Sequence, residues 1–276
     1  MNVRHCISKE EYARMTTAQL RENFLVEDLF LPGQLRLTYS HYDRIIAGGV
    51  LPTEEAVALD AAAELAADFF LQRREMGVIN IAGDGVISAD GTDYPMKKYD
   101  CLYLGRGTRE VCFRSLDAAA PAAFYLNSVP AHRATPAVHI PQEKAVRLAA
   151  GSGGECNERT IYKYIIDGNV ESCQLAMGLT VLAEGSVWNT MPCHTHERRM
   201  EVYFYFDVPQ NQTVFHLMGP GNETRHIAVG DRQAVISPSW SVHSGIGTQN
   251  YTFIWGMCGE NQAYDDMRTI ATGDIR

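Results

Sequence analysis

Nowhere does this sequence run to the roughly 18 consecutive apolar residues that a membrane-spanning helix requires. Its opening, Met1-Asn2-Val3-Arg4-His5, leads straight into polar residues without the apolar stretch of a secretory signal, so a cytoplasmic protein is expected. Basic runs are missing as well. With 33 acidic against 24 basic residues the net charge is −9. Nucleic acid and anionic membrane are therefore poor partners, since both need a concentrated positive footprint. A small anion remains compatible, because one or two arginines inside a pocket can hold a carboxylate whatever the global charge. Paired cysteine motifs are absent too. The seven cysteines, at 6, 101, 112, 156, 173, 193 and 258, are odd in number, dispersed and free of any CxxC. That pattern argues against a disulfide framework or a thiolate zinc site, and for reduced thiols.

What is present suffices for a substantial core. The 276 residues are 46% hydrophobic and 21% charged, which suits one large domain or two of ordinary size. The first 25 residues read as helical, with Ser8-Lys9-Glu10-Glu11 and Thr16-Thr17-Ala18-Gln19 both fitting the capping-box pattern. Strand signals dominate thereafter. Gly77–Ile81 ends at Gly83-Asp84-Gly85, Val86-Ile87-Ser88 leads to Asp90-Gly91, and Cys101–Leu104 and Val111–Phe113 flank Gly105-Arg106-Gly107. Ala123–Leu126 follows. The Ala-rich run from Asp60 to Asp68 reads as a short helix. Residues 128–156, thinned by Pro130, Pro136 and Pro141 and closed by Gly151-Ser152-Gly153-Gly154, read as a linker. The strand pattern resumes at Thr160–Ile166 and continues to Tyr251–Met257. Short strands at regular spacing point to an all-β protein of two barrel or sandwich halves, 1–150 and 151–276, with a few short helices.

The halves also resemble each other. Sliding Phe70–Ile81 beneath His194–Tyr205 puts Arg74 on Arg198, Met76 on Met200 and Val78 on Val202, with Phe70, Gln72 and Gly77 in place of His194, His196 and Glu201. Only the second copy then carries metal-binding side chains.

Those side chains form the most informative pattern in the chain. On a strand, His194 and His196 point to the same face. Glu201 comes after the polar break Glu197-Arg198-Arg199, where a turn brings its carboxylate back beside the imidazoles, and His243 follows Pro238-Ser239-Trp240-Ser241-Val242. Three neutral imidazoles and one carboxylate suit a borderline divalent ion and leave room for water or substrate. A lone buried histidine is more often a hydrogen-bonded core residue, but the complete spacing is far less common than HxH alone. It resembles the two motifs of the cupin superfamily, with Gly185 and Gly230 upstream as that pattern expects. Trp240 stands where the pattern usually has glycine, and the asparagine that often follows the last histidine is missing.

Longer stretches carry a sharper resemblance. Asn189–Phe206, Ala234–Gly245 and Tyr251–Met257, with Tyr39–Ile46 and Arg73–Ile81 in the first half, resemble the 5-keto-4-deoxyuronate isomerase family, also called 4-deoxy-L-threo-5-hexosulose-uronate ketol-isomerases. The resemblance spans nearly the whole chain. It implies a bicupin fold of two jelly-roll-type halves, one zinc ion in the C-terminal half held by His194, His196, Glu201 and His243, a homohexamer, and a role in breaking down pectin-derived uronates.

The implied reaction moves a hydrogen between adjacent carbons of a small anionic sugar acid. It needs a polarised C1 aldehyde and a base for the C2 proton; a hydride shift gives the same product. Glu201 and Tyr203 are the catalytic candidates, and Arg198, Arg199 and Tyr205 the candidates for binding substrate. Tyr203 and Tyr205 share the face of Glu201 by alternation. His216, His226 and Glu260 are further candidates for the base, each more readily explained as a solvated or core-bonded residue. Cys193 should face away from the ligands. His41, Asp43 and Arg44 either cap a neighbouring subunit's site or decorate a loop. An iron- and oxygen-dependent cupin oxygenase and a non-catalytic sugar-acid-binding cupin compete with the isomerase, since one ligand set serves all of them.

Overall fold

The computed structural model describes residues 1–260, 263 and 266–276. Among the described residues, the two α-helices are those the capping signals predict. Lys9–Tyr12 and Thr17–Phe24 each start at a complete capping box, Ser8 with Glu11 and Thr16 with Gln19. No described helix is long and apolar enough to cross a membrane.

The rest is β-sheet laid out twice on one plan. The first half has a seven-stranded sheet in the order Asn2–Arg4, Leu35–Ser40, Ile46–Val50, Phe124–Pro130, Arg74–Asn80, Cys101–Leu104, Val138–Ile140. A four-stranded sheet of Val57–Ala58, Val111–Ser115, Gly85–Ala89 and Thr92–Met96 faces it. The second half repeats this with Val146–Ala150, Arg159–Ile165, Ala176–Leu182, Thr252–Gly259, Arg199–Phe206, Gln233–Ser237 and Leu25–Val26. Opposite lie Trp188–Asn189, Val242–Gly247, Val214–Gly219 and Arg225–Val229. The sheets of each half form a sandwich rather than a closed barrel.

Three cores hold these layers together. Met76, Val78, Leu102 and Phe124 fill the interior of the first half, and Tyr203, Tyr205, Phe253 and Trp255 that of the second. Between the halves the two large sheets pack back to back through Ile79, Tyr125, Met200, Val202 and Phe204, with Tyr125 stacked on Phe204 at 4.1 Å. Arg199–Phe206 is therefore buried on both faces, which explains the run of apolar and aromatic residues Val202–Phe206 within it. Glu75 pins the halves across this seam. Its carboxylate accepts the backbone N–H groups of Cys173, Gln174 and Leu175 at 2.7–2.9 Å and the Tyr103 hydroxyl at 2.7 Å.

Several expectations need correction. The Asp60–Asp68 run forms only a single 3-10 turn, Ala63–Leu65: Ala62 offers no capping side chain, and Ala66 closes the turn in the left-handed region. Residues 128–156 are not a bare linker: they hold the end of Phe124–Pro130 and two further strands. Val138–Ile140 and Val146–Ala150 occupy sheet edges, where a proline-rich neighbourhood forfeits few ladder bonds. The first 150 residues also lend strands to the second sheet: Leu25–Val26 edges it beside Gln233–Ser237, while Val138–Ile140 stays at the edge of the first. Val146–Ala150 pairs with Arg159–Ile165, so a cut at residue 150 would part that strand from its sheet. Finally, the internal alignment is off by one. Met76 and Val78 point into their own half, whereas Met200 and Val202 point to the seam, and a one-residue slip flips every side chain to the other face. Shifted by one, Arg74 falls on Arg199 and Met76 on Glu201, and the faces agree.

Candidate metal centre

The four expected residues converge at one end of the second sandwich. His194 lies on the short strand His194–Thr195, His196 in the turn after it, Glu201 near the start of Arg199–Phe206, and His243 on Val242–Gly247 of the opposite sheet. The turn between His196 and Arg199 is closed by Arg199 N–H donating to the His196 carbonyl at 3.4 Å. One nitrogen or oxygen from each residue lies within 4.8 Å of all the others. Glu201 Oε2 is 2.8 Å from His243 Nε2 and 3.1 Å from His196 Nε2, and His194 Nε2 is 3.0 Å from His243 Nε2.

The far sides of two rings are already engaged. His196 Nδ1 sits 2.9 Å from the Arg199 carbonyl and His243 Nδ1 3.4 Å from that of Ser241. An Nδ1–H donated to a carbonyl fixes the tautomer and leaves the Nε2 lone pair facing the cluster, as metal-ligating histidines require. His196, Glu201 and His243 are buried. Burial alone would raise the Glu201 carboxyl, but the charges and hydrogen bonds of His243 and His196 hold it below the usual carboxylate range. Burial, reinforced by His243, pushes His194 down to about 3 in spite of Glu201. Neutral imidazoles and an ionised carboxylate are the forms that bind a cation, so the donor set fits a divalent ion.

A cavity of about 240 Å³ opens on the cluster, lined by His194, Glu201, Tyr203, Arg199, Trp255 and Arg159 among others. The hydroxyls of Tyr203 and Thr190 are 2.7 Å apart, and the Tyr203 ring is 5.2 Å from that of His243. The other predicted residues are placed differently. Tyr205 shares the inward face but lies beneath the cavity, fully buried, with its hydroxyl 2.7 Å from His216 Nδ1. His216 is likewise a core residue, its Nε2 3.3 Å from Ser237 Oγ. Arg198 and Arg199 do not form a clamp. Arg198 is exposed and borders an outer groove with Asp43 and Glu260, not the cavity. Arg199 is buried, donates to the Ala263 carbonyl and pairs with Asp266 at 2.5 Å. His226 is exposed on an outer strand. Cys193 is buried and outside the ligand group. Asp43 accepts the Met200 N–H at 3.0 Å, so the His41–Arg44 loop braces the strand that carries Glu201.

Sequence reasoning missed Arg159, Thr190 and the C-terminal segment. Arg268–Thr269 pairs with His194–Thr195, and the Ile270 N–H donates to the Cys193 carbonyl, so this segment walls the site. Thr190 lies in the Asn189–Phe206 stretch but carries no ligand spacing, and no local motif marks Arg159 or Arg268–Thr269; the fold brings them to the cavity. The first half lacks a counterpart centre. Met76 stands in place of Glu201, and the strand matching that of His243 carries Val111 and Phe113 into an apolar core.

Comparison with known proteins agrees with this architecture. Over its full length the chain is 54% identical to a 4-deoxy-L-threo-5-hexosulose-uronate ketol-isomerase of Lachnoclostridium phytofermentans, covering 100% of both chains. It is 50% identical over 278 residues to the protein of that name from Pectobacterium carotovorum subsp. carotovorum, again covering 100% of each. Among solved structures, an IolB-like protein from Salmonella typhimurium LT2 matches with a TM-score of 0.72 at 16% identity, over 90% of this chain and 97% of that one. Lactobacillus farciminis oxalate decarboxylase matches with a TM-score of 0.58 at 10% identity, over 86% and 83%. At such identities the structural matches speak for the fold alone, an all-β bicupin. The KduI/IolB family model matches residues 25–271, and with it and full-length relatives at half identity, the chain belongs to the KduI/IolB family.

Proposed function

We propose that this protein is a ketol-isomerase that converts 4-deoxy-L-threo-5-hexosulose uronate to 3-deoxy-D-glycero-2,5-hexodiulosonate in the breakdown of pectin-derived uronates. The observation that carries this reading is a complete three-histidine, one-glutamate cluster at the wall of a small cavity, in a chain with full-length relatives named 4-deoxy-L-threo-5-hexosulose-uronate ketol-isomerase.

The isomerisation moves a hydrogen from C2 to C1 and leaves the oxidation state of the whole molecule unchanged. A redox-silent ion such as zinc, held by His194, His196, Glu201 and His243, supplies Lewis acidity that makes the proton beside an aldehyde removable. The chain's own contributions are positional. Glu201 brings the negative charge among three imidazoles. Tyr203 presents a hydroxyl, oriented by Thr190, beside His243, within the cavity where a sugar oxygen would be bound and a proton handed on. Phe253, Trp255 and Met257 give the cavity apolar walls that limit water around the reacting carbons. Labour is divided between the halves in this reading: 151–276 bears the metal, and 1–150 is a cupin-like unit without ligands that lends Leu25–Val26 and Val146–Ala150 to the second sheet. A cytoplasmic homohexamer with one zinc per subunit completes it.

The test is to incubate zinc-replete protein with the uronate and follow the product by NMR in D₂O. Conversion without oxygen uptake supports the reading, and deuterium at C1 identifies a proton-transfer route. Binding without conversion, or oxygen consumed in step with turnover, would overturn it.

A further inference from the structure

The substrate class poses a charge problem that the metal cluster does not solve. A uronate carries its carboxylate at the end of the chain remote from the reacting aldehyde, and among the described residues the only acidic side chain lining the cavity, Glu201, belongs to the cluster. Two arginines reach the cavity. Arg199 already has its charge met by Asp266 at 2.5 Å and a donor engaged by the Ala263 carbonyl. Arg159 differs. It is half-buried, it donates from Nη1 to the Asn157 carbonyl at 2.8 Å, and among the described residues no carboxylate lies within ion-pair distance of it. A guanidinium has five donors in a planar fork matched to a carboxylate, so one bond to a carbonyl leaves most of that fork unused.

The placement suits a chain of six carbons. In the seven-stranded sheet, Arg159–Ile165 is three strands from Arg199–Phe206, a gap of ~14 Å at the usual inter-strand spacing. The long arginine stem and a sugar acid extending from the cluster fill that gap between them. Ile161, Phe253 and Trp255 line the wall along the way, so the carboxylate would meet few competing charges before Arg159.

Resting on the isomerase reading above, we propose that Arg159 is the specificity-determining residue that receives the substrate's carboxylate and selects sugar acids over neutral sugars. Charge-assisted bonds to a carboxylate are the strong class of hydrogen bond, and their loss at a partly shielded site is read as a 10- to 100-fold change, the low and middle part of the range for hydrogen bonds to charged groups.

Two readouts test it. In turnover, Arg159→Met should raise KM for the uronate by about 10- to 100-fold with little change in kcat, while the analogue with its carboxylate reduced to a primary alcohol is handled as by wild type; Arg159→Lys should recover part of the loss. In calorimetry, the unreactive acid whose C1 aldehyde has been reduced should bind Arg159→Met more weakly by the same factor. This second readout does not depend on turnover, so a wild-type protein inactive on the uronate sinks the isomerase reading and leaves the role of Arg159 still decided by binding. Unaltered metal content and melting temperature in Arg159→Met exclude a folding defect, and Arg159→Lys serves as the folded comparison if the methionine variant is unstable. Equal affinity of wild type and both variants for the acid, or an unchanged preference for acid over alcohol, overturns the assignment.

Discussion

His194 Nε2 and His243 Nε2 face each other across 3.0 Å, with Glu201 Oε2 a further 2.8 Å from His243. Two imidazole nitrogens at that separation are compatible only if a proton or a cation lies between their lone pairs. His194 is pushed down to about 3, first by burial and then by His243, so near neutral pH the protonated form is strongly disfavoured. A neutral ring donating its Nε2–H to the other meets that gap without a metal; a divalent cation shared with Glu201 and His196 meets it with every lone pair of the cluster engaged.

The ligand set therefore makes a direct prediction. His196→Ala and His243→Ala should each lose bound zinc, with affinity reduced by well over the ~10- to 100-fold typical of outer-shell changes, and circular dichroism should show the β-sheets intact. Metal analysis by mass spectrometry checks it. Full zinc occupancy in either variant contradicts the assignment.

Why was the centre legible when its surroundings were not? His194, His196 and Glu201 fall within eight residues, and strand alternation with one turn suffices to bring them together. His243 required the cupin-like spacing as a guide, because it comes from the opposite sheet. Alternation also placed Tyr203 correctly. The expected clamp of Arg198 with Arg199 ignored it: the turn ends and the strand begins between them, so that one guanidinium faces solvent and the other is buried. The duplication was visible, but its register was not: Met and Val occur on both faces of a doubly buried strand, and matching them by type pairs residues that point in opposite directions. The crossing of Leu25–Val26 and Val146–Ala150 to the second sheet has no local signal, since any short apolar segment can edge either sheet.

Tyr203 is separable from the metal. Its hydroxyl touches Thr190 and its ring lies against His243, so Tyr203→Phe keeps the packing and removes only the polar tip. Loss of a group that binds or relays a proton lowers kcat by ~100-fold or more, with zinc content unchanged. A purely structural hydroxyl would instead lower the melting temperature and leave kcat nearly intact. Steady-state kinetics beside thermal scans tells them apart.

The two neighbouring arginines should behave in opposite ways. Arg198→Ala removes an exposed side chain that borders the outer groove, and surface changes of this kind shift stability by about 0.5 kcal/mol or less; activity should stay within twofold of wild type, on the order of experimental scatter. Arg199→Met leaves Asp266 without its buried partner. Breaking a buried pair from one side costs about 3–5 kcal/mol, scaled down here because Asp266 keeps some contact with water. Chemical denaturation of both variants measures the contrast. Equal stability of the two would mean that the Arg199–Asp266 pair holds nothing in place.

The acid side of the stability profile should carry the signature of His216. It is fully buried between Tyr205 and Ser237, and burial, with a smaller push from His243, lowers its pKa to about 3 from an ordinary 6.5. Because the folded pKa is depressed, the unfolded chain binds the proton first. Between roughly pH 6.5 and 3 the unfolded state holds more protons than the folded one, so stability falls as pH falls through that window and is unaffected by this group above it. At its steepest a single such group contributes about 1.4 kcal/mol per pH unit. His216→Asn retains polar atoms for Tyr205 and Ser237 but cannot titrate. Its stability at pH 7.5 should be lower than that of wild type through imperfect packing, and the gap between the two should narrow as pH drops from about 6.5 towards 4. Urea melts of the two proteins at half-unit pH steps, both stripped of metal so that the ligand histidines contribute equally, give the difference directly. Parallel profiles across the window would show that His216 already takes up a proton inside the folded core.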